Sequence, residues 1–285
     1  MRRFLAILAL ALFVPTACCL VDEDLSGCPD EYAIDYEMRL ITNVQTEINT
    51  VLDMQADVYV AEALKKHLAN IFTDYAHDVD LSFYDVVTPF NVLYHISDII
   101  DASQTSYTLH LPVHEYMHLA AANLIENTQV ALECSEILQT SHLHQNEPDE
   151  NNFIDSHTTG LFTARLPMEI QQGISQNFEV KLYMANCATA LVLDNSMAPP
   201  ISGLAAYTKG FAHTFNIADS TYVFGANPYV RAVDVPVEGG SELCYATVQF
   251  PSREPDEEPE SKVVIETTDP FLAESADKSL WELVV

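Results

Sequence analysis

The sequence predicts a mainly β protein that consists of two tandem β-sandwich domains with one short helical insertion. Apolar and polar residues alternate with a period of two over several stretches, which is typical of strands with one buried and one solvated face. Clusters of turn-forming residues separate these stretches at short intervals. Helical periodicity is clear in one segment, so helix is expected to be a minor component.

Two stretches carry the strand pattern most clearly. In Tyr32–Leu40 the tyrosines, Ile34 and Met38 alternate with Ala33 and three charged residues, and Phe178–Met184 alternates in a similar way. Further β-rich runs cover Ser106–Leu111, Tyr229–Val237, Leu243–Phe250, Lys262–Thr267 and a strand that begins near Trp281. The predicted helix covers Ala61–Tyr75, where apolar residues recur at spacings of three and four.

A polar, turn-rich segment, His142–His157, suggests the junction between the two domains. We therefore expect an N-terminal domain over 32–150 and a C-terminal domain over 151–285. A weak internal repeat agrees with a tandem arrangement. Tyr107–Pro112 and Phe162–Pro167 share the order aromatic, threonine, any residue, basic, leucine, proline.

The first residues predict export and lipidation. Arg2 and Arg3 precede an apolar run, Phe4–Val14, of the length found in secretory signals. The run leads into Pro-Thr-Ala-Cys, which is similar to a bacterial lipobox, so residues 1–17 are the expected signal peptide and Cys18 the expected lipidated residue of segment 18–31. Cys19 is an alternative acceptor, and cleavage to a plain secreted protein is a second alternative.

Charge excludes some partners and favours others. The chain carries a formal net charge of −30 at pH 7, which becomes −32 when Arg2 and Arg3 are removed with the signal. Such a field repels nucleic acid and anionic lipid surfaces, so we expect no nucleic-acid partner. No segment after the signal has the 18 uninterrupted apolar residues expected of a membrane-spanning helix.

The segment "HEYMH" matches the H-E-x-x-H pattern of zinc proteases, with His114 and His118 as ligands and Glu115 as general base. On a helix the two imidazoles would share one face, whereas on a strand they would lie roughly 13 Å apart, too far for one zinc ion. Glu136 is a candidate third ligand, and Glu133 and Glu126 compete with it. We interpret the segment as the end of one strand passing into the next, and keep the surface metalloprotease as the alternative function.

Other histidines are interpreted without a metal. His142, His144 and His157 lie in the polar junction, which we interpret as a solvated turn. No nucleophile elbow, P-loop or dinucleotide fingerprint is present in the sequence. We therefore expect a protein that is not an enzyme and that uses no cofactor.

The residues after the lipobox, "CCLVDEDLSGCP", followed by a strand near Tyr32, resemble the N-terminus of the fimbrillin-associated anchor lipoproteins of Gram-negative fimbriae. Three further stretches are similar to that family: "YTLHLPVHEYMHLAAANL", "FNIADSTYVF", and "FPSREP" followed by "SLWELVV".

The resemblance implies two transthyretin-like β-sandwich domains and a role at the base of a surface fimbria. Such a protein would hold the fibre to the outer membrane through its acyl chains, bind fimbrial pilin subunits by strand addition, and end their polymerisation. Asp22, Glu23 and Asp24 resemble the family's surface-export signal. Because the family continues for several strands past the "SLWELVV" element, the second domain is expected to be incomplete. A generic surface lipoprotein that binds glycan or protein is the remaining alternative.

Overall fold

A computed structural model describes residues 31–40, 43–87, 92–99, 106–197, 201, 203–225, 228–254, 259–267 and 279–285. These residues form nineteen strands, two helices and one short 3-10 helix, Leu138–Thr140. The helices are α1 (Val44–Gln55) and α2 (Val58–Leu68). The strands are β1 (Glu31–Leu40), β2 (Asp78–Asp85), β3 (Val92–Ile99), β4 (Ser106–Pro112), β5 (Glu115–Ala122), β6 (Val130–Glu133), β7 (His142–Gln145), β8 (Phe153–Asp155), β9 (Phe162–Glu169), β10 (Asn177–Met184), β11 (Cys187–Leu193), β12 (Leu204–Lys209), β13 (Thr214–Asn216), β14 (Thr221–Val223), β15 (Tyr229–Arg231), β16 (Val233–Asp234), β17 (Leu243–Gln249), β18 (Lys262–Thr267) and β19 (Ser279–Val284).

A seven-stranded sheet, in the order β3-β2-β5-β9-β10-β1-β4, forms the first sandwich. β9 and β10 pair only at Thr163–Tyr183 and Phe162–Met184, so the sheet turns a corner there. The two parts on either side of the corner enclose one core, to which Ile34 and Tyr36 of β1 contribute from one side and Phe83 of β2 from the other. The predicted β-sandwich construction is therefore confirmed for this part of the chain.

The strands β3, β2, β5 and β9 form a middle layer, because the other face of β2 and β5 is also buried. Tyr84, Leu119 and Ala121 pack there in a second core with Leu143 and Phe215. The last two residues belong to a four-stranded sheet, β14-β13-β7-β6. The described chain thus stacks a third β layer on the first sandwich.

Two more sheets complete the fold: a three-stranded sheet, β11-β17-β16, and a five-stranded sheet, β19-β18-β12-β15-β8. The buried hydroxyl of Thr208 on β12 donates to the Gln249 carboxamide oxygen on β17, which links the two sheets. Helix α2 covers the three-stranded sheet, with Val60 and Leu64 packed against Cys244 and Ala246.

The helical insertion differs from the prediction. The predicted bounds of the helix, Ala61 and Tyr75, are both wrong. The observed helix begins at Val58, where the Asp57 carboxylate acts as the N-cap by accepting the Tyr59 N–H, and it ends at Leu68. A second helix, α1, precedes it and is capped in the same way by Asn43. The chain therefore carries a helical hairpin where one helix was predicted. Among the described residues, neither helix has the length and apolar character needed to cross a membrane.

The strand pairing crosses the predicted domain boundary at residue 150. β9 and β10 follow that residue, yet they pair with β5 and β1. The two segments of the weak internal repeat likewise lie in strands of one sheet, β4 and β9, rather than in equivalent strands of two domains. A division at residue 150 would remove two strands from the middle of the first sandwich.

Candidate functional site

The segment that matches the protease motif is a strand, as interpreted from the sequence. β4 ends at Pro112, a turn holds His114, and β5 begins at Glu115 and joins a different part of the sheet. Since successive side chains of a strand point to opposite faces, Glu115 lies on the face opposite His118. The helical arrangement that the zinc alternative requires is therefore absent from this segment.

His118 is a fully buried core residue of the first sandwich. Its Nε2 lies 2.6 Å from the Tyr36 hydroxyl on β1, and its Nδ1 lies 3.0 Å from the Ser82 carbonyl oxygen on β2. A carbonyl oxygen only accepts, so Nδ1 carries the proton and Nε2 accepts from the tyrosine. The ring also stacks on Phe83, with centroids 4.4 Å apart. Burial lowers the pKa of His118 to about 4, and the neutral imidazole links the two halves of the sandwich.

The remaining members of the zinc alternative lie apart from His118. His114 Nε2 is 3.0 Å from Asp85 Oδ1, and the pKa of Asp85 is lowered by the hydrogen bond from the Val87 N–H and, to a lesser extent, by this pair. Glu136 is exposed, and its backbone carbonyl accepts from Val92 N. The structure does not bring these side chains to one point.

The predicted lipidation and export residues, Cys18, Asp22, Glu23 and Asp24, lie outside the described residues. The described chain begins at β1, which lies between β10 and β4 rather than at a sheet edge. Any tether formed by the preceding residues therefore enters the fold at an interior strand.

An apolar strand edge that no other described strand pairs with occurs at the other end of the described chain. β19 is the edge strand of the five-stranded sheet, and Leu283, Val284 and Val285 are 46%, 59% and 47% exposed. Glu282 is held by the ammonium groups of Lys209 and Lys262. Unpaired strand edges with apolar side chains are templates for another strand.

The edge has a defined hydrogen-bonding pattern. Val285 N donates to the Ser261 carbonyl oxygen at 3.0 Å, so the peptide groups of Val285 point toward β18. In an antiparallel ladder these groups alternate in direction, and the N–H of Val284 consequently points away from the sheet. It is an available donor for an added strand.

A groove of about 540 Å³ lies between α2 and the segment after β16. Tyr59, Lys66 and His67 line one side, and Val235 and Glu238 line the other. Partial burial lowers the pKa of His67. The half-exposed tyrosine ring provides a flat apolar surface beside groups that can form hydrogen bonds.

Two groups of described residues have metal-ligating side chains close together: Asp80 with His95 and Cys134, and Glu133 with His142 and His144. The interpretation of His142 and His144 as part of a solvated turn is wrong, because both lie on strand β7. The third histidine of that interpretation, His157, is buried and accepts from the Asn186 amide at 3.2 Å.

These features define a layered β-sandwich protein with a free strand edge, and proteins of known structure share its fold. A candidate adhesin from Bacteroides ovatus has a TM-score of 0.58 at 11% sequence identity, over 89% of this chain and 78% of its own. A candidate polysaccharide-binding protein from Bacteroides thetaiotaomicron has a TM-score of 0.56 at 10% identity, over 88% and 78%.

The fimbrial anchor protein Mfa2 from Porphyromonas gingivalis has a TM-score of 0.53 at 10% identity, over 87% of this chain and 82% of its own. The expected resemblance in fold to fimbrial anchor proteins is thus confirmed. Two of these neighbours are thus a candidate adhesin and a fimbrial protein, and the third is a candidate polysaccharide-binding protein. No protein-family profile and no curated protein sequence matches the chain.

Proposed function

We propose that this protein is a surface-exposed outer-membrane lipoprotein that anchors fimbriae and ends pilin polymerisation at their base. The observation that carries the proposal is the free β19 edge in a fold shared with a fimbrial anchor protein. Main-chain groups along such an edge can pair with a strand of a pilin subunit, and alternate side chains supply specificity.

The membrane half of the proposal rests on the N-terminal sequence. Lipid attached to Cys18 would hold the protein in the outer membrane, because each buried methylene contributes about 0.8 kcal/mol and several acyl chains far exceed the hold of one. Asp22, Glu23 and Asp24 would direct it to the cell surface. The negative charge of −30 favours neutral or cationic pilin surfaces over nucleic acid.

We also propose two sandwich domains, with the boundary after β10 rather than at residue 150. β9 and β10 complete the first seven-stranded sheet, which supports their assignment to the N-terminal unit. The strands of the three- and five-stranded sheets that follow β10 would then form the C-terminal unit, and β8 would reach across from the N-terminal unit to pair with β15.

A pair of substitutions tests the edge directly. Val284→Pro removes the outward N–H and leaves the ladder to β18 intact, whereas the matched control Val284→Thr keeps that N–H and a β-branched side chain. In cells lacking the native gene, we expect the proline variant to lose fimbriae from the surface and the threonine variant to retain them, as counted by electron microscopy. Normal attachment and length with the proline variant would contradict docking at this edge.

Cys18→Ala tests the lipid separately. We expect the variant to leave the membrane fraction on cell fractionation, with a Cys19→Ala control remaining there. Continued membrane retention of the Cys18 variant would refute the lipidation assignment and leave the edge experiment unaffected.

The groove beside Tyr59 supports a second candidate function, recognition of a glycan. Sugar rings stack on exposed aromatic faces, and Lys66 and Glu238 offer hydrogen-bonding groups beside this one. Binding on a glycan array should be abolished by Tyr59→Ala and preserved by Tyr183→Ala, which removes an exposed tyrosine of β10 that does not line the groove. Equal signals from both variants would exclude this groove.

A further inference from the structure

The face of the four-stranded sheet that points away from the second core carries His142 and His144. β7 is flanked by β6 and β13, and Leu143 between the two histidines is fully buried in the second core. The alternation of a strand therefore places both imidazoles on the outer face. Glu133 on β6 is directly opposite His142 in the antiparallel register, so its carboxylate lies on that same face.

Backbone carbonyls hold both imidazoles in the orientation that a metal ligand requires. His142 Nδ1 lies 2.6 Å from the Thr140 carbonyl oxygen, and His144 Nδ1 lies 3.1 Å from the Gln145 carbonyl oxygen. Because a carbonyl oxygen accepts only, each Nδ1 carries the hydrogen and each Nε2 keeps a lone pair. This outer-shell arrangement is typical of metal-binding histidines, where it fixes the tautomer and raises the basicity of the ligand.

The three side chains converge. One ligand atom of each lies within 4.8 Å of the others, and His142 Nε2 is 3.7 Å from Glu133 Oε2. Bonds of about 2.0 to 2.2 Å in a tetrahedral zinc site place neighbouring ligand atoms roughly 3.4 Å apart. The Glu133 side chain is 60% exposed, so it can rotate to close the remaining distance without disturbing the core.

We propose that Glu133, His142 and His144 form a binding site for a divalent transition-metal ion, with Zn²⁺ as the ion that fits two imidazoles and a carboxylate. Water would fill the remaining coordination position on the solvent side. The ion would link β6 to β7 across the outer face, and the net charge of −30 would draw cations to the surface.

The second group, Asp80, His95 and Cys134, is the less prepared of the two. His95 Nε2 is engaged by Asp80 Oδ2 at 2.7 Å, and the Cys134 thiol lies 3.0 Å from the Ser82 hydroxyl. His95 Nε2 would have to break its hydrogen bond to the Asp80 carboxylate before it could bind an ion. It serves as an internal control for the proposed site.

The test is a Zn²⁺ titration of the full-length protein in competition with a chromogenic chelator. We expect the wild type to bind one ion per chain. His144→Ala removes a ligand, so its affinity for Zn²⁺ should fall by at least the roughly 10- to 100-fold that loss of an outer-shell partner costs. His110→Ala, which removes an exposed histidine on β4, and Cys134→Ser should bind as the wild type does.

Thermal denaturation supplies an independent readout. Without metal, His144→Ala and the wild type should unfold at the same temperature, since the substituted ring lies on the outer face. Added Zn²⁺ should raise the midpoints of the wild type, His110→Ala and Cys134→Ser, but not that of His144→Ala. Wild-type binding no tighter than that of His144→Ala, or binding that is lost in Cys134→Ser instead, would overturn the proposed site.

Discussion

The buried imidazole of His118 should make the stability of the protein fall on acidification, and His118→Gln should remove part of that dependence. Glutamine does not titrate, yet its carboxamide can donate to the Ser82 carbonyl and accept from the Tyr36 hydroxyl. In the folded protein burial lowers the pKa of His118 from 6.5 to about 4, so the unfolded chain takes up this proton first as the pH falls.

The size of the effect follows from that difference in proton affinity. A tenfold change in affinity corresponds to about 1.4 kcal/mol, so neutral His118 contributes roughly 3 kcal/mol that is present above pH 6.5 and lost as the pH falls toward 4. About 2 kcal/mol of this should be lost by pH 5, still above the sequence pI of about 4.3, near which the chain is least soluble.

Urea unfolding of the full-length protein at pH 7.5 and pH 5 measures this directly. The stability advantage of the wild type over His118→Gln should shrink by about 2 kcal/mol between the two pH values. His157, whose pKa burial lowers to about 3, contributes equally to both proteins and cancels. His110→Gln is the matched control on an exposed strand position. A difference between wild type and His118→Gln that does not change with pH would refute the reasoning.

Two further substitutions test the packing by chemical unfolding. Tyr36→Phe keeps the ring but leaves the buried Nε2 of His118 without its donor, so a loss of about 1 to 3 kcal/mol is expected at pH 7.5; a change below about 0.5 kcal/mol would contradict a stabilising bond. Gly210→Ala should cost more than Gly173→Ala: φ is +76° and +72° respectively, but a Cβ at Gly210 would lie 2.7 Å from the Glu260 carbonyl oxygen, whereas Gly173 has open space. Equal losses would show that the close contact relaxes without cost.

Sequence periodicity predicted strands whose two faces have different surroundings. β1 and β10 alternate visibly because one face packs in the first core and the other meets solvent. The periodicity does not predict β2, because both faces of this strand are buried. Leu81 and Phe83 lie in one core and Tyr84 lies in the other. A strand in a middle layer loses its period-two signal, and length and composition then give little information.

The same burial explains the ambiguity of the HEYMH segment. Ala120 faces the first core, whereas Leu119 and Ala121 face the second, so β5 is apolar on both sides and imitates a buried helix. The alternation that continues up to Pro112 in β4 favours a strand, and the structure confirms this interpretation because Glu115–Ala122 forms β5. The predicted helix boundaries are wrong for a different reason: apolar periodicity does not mark where a helix starts, whereas the N-capping residues Asn43 and Asp57 do.

The metal-binding candidate could be found only in part from the sequence. A histidine at every second position, His142 and His144, is the local signal for two rings on one face of a strand. The third ligand, Glu133, becomes visible only through the pairing of β6 with β7, and the carbonyls that orient the rings are a property of the backbone. Polar composition alone therefore suggested a turn.

The interior position of β1 has a mechanical consequence if the preceding residues carry a membrane tether. A tensile load that enters at the start of β1 acts on two hydrogen-bonded ladders at once, to β4 over Glu31–Glu37 and to β10 over Asp35–Leu40. An edge strand could be peeled away one bond at a time, whereas extraction of β1 requires both ladders and the core contacts of Tyr36 to fail together. The fold would thus be suited to bear tension applied at the start of β1.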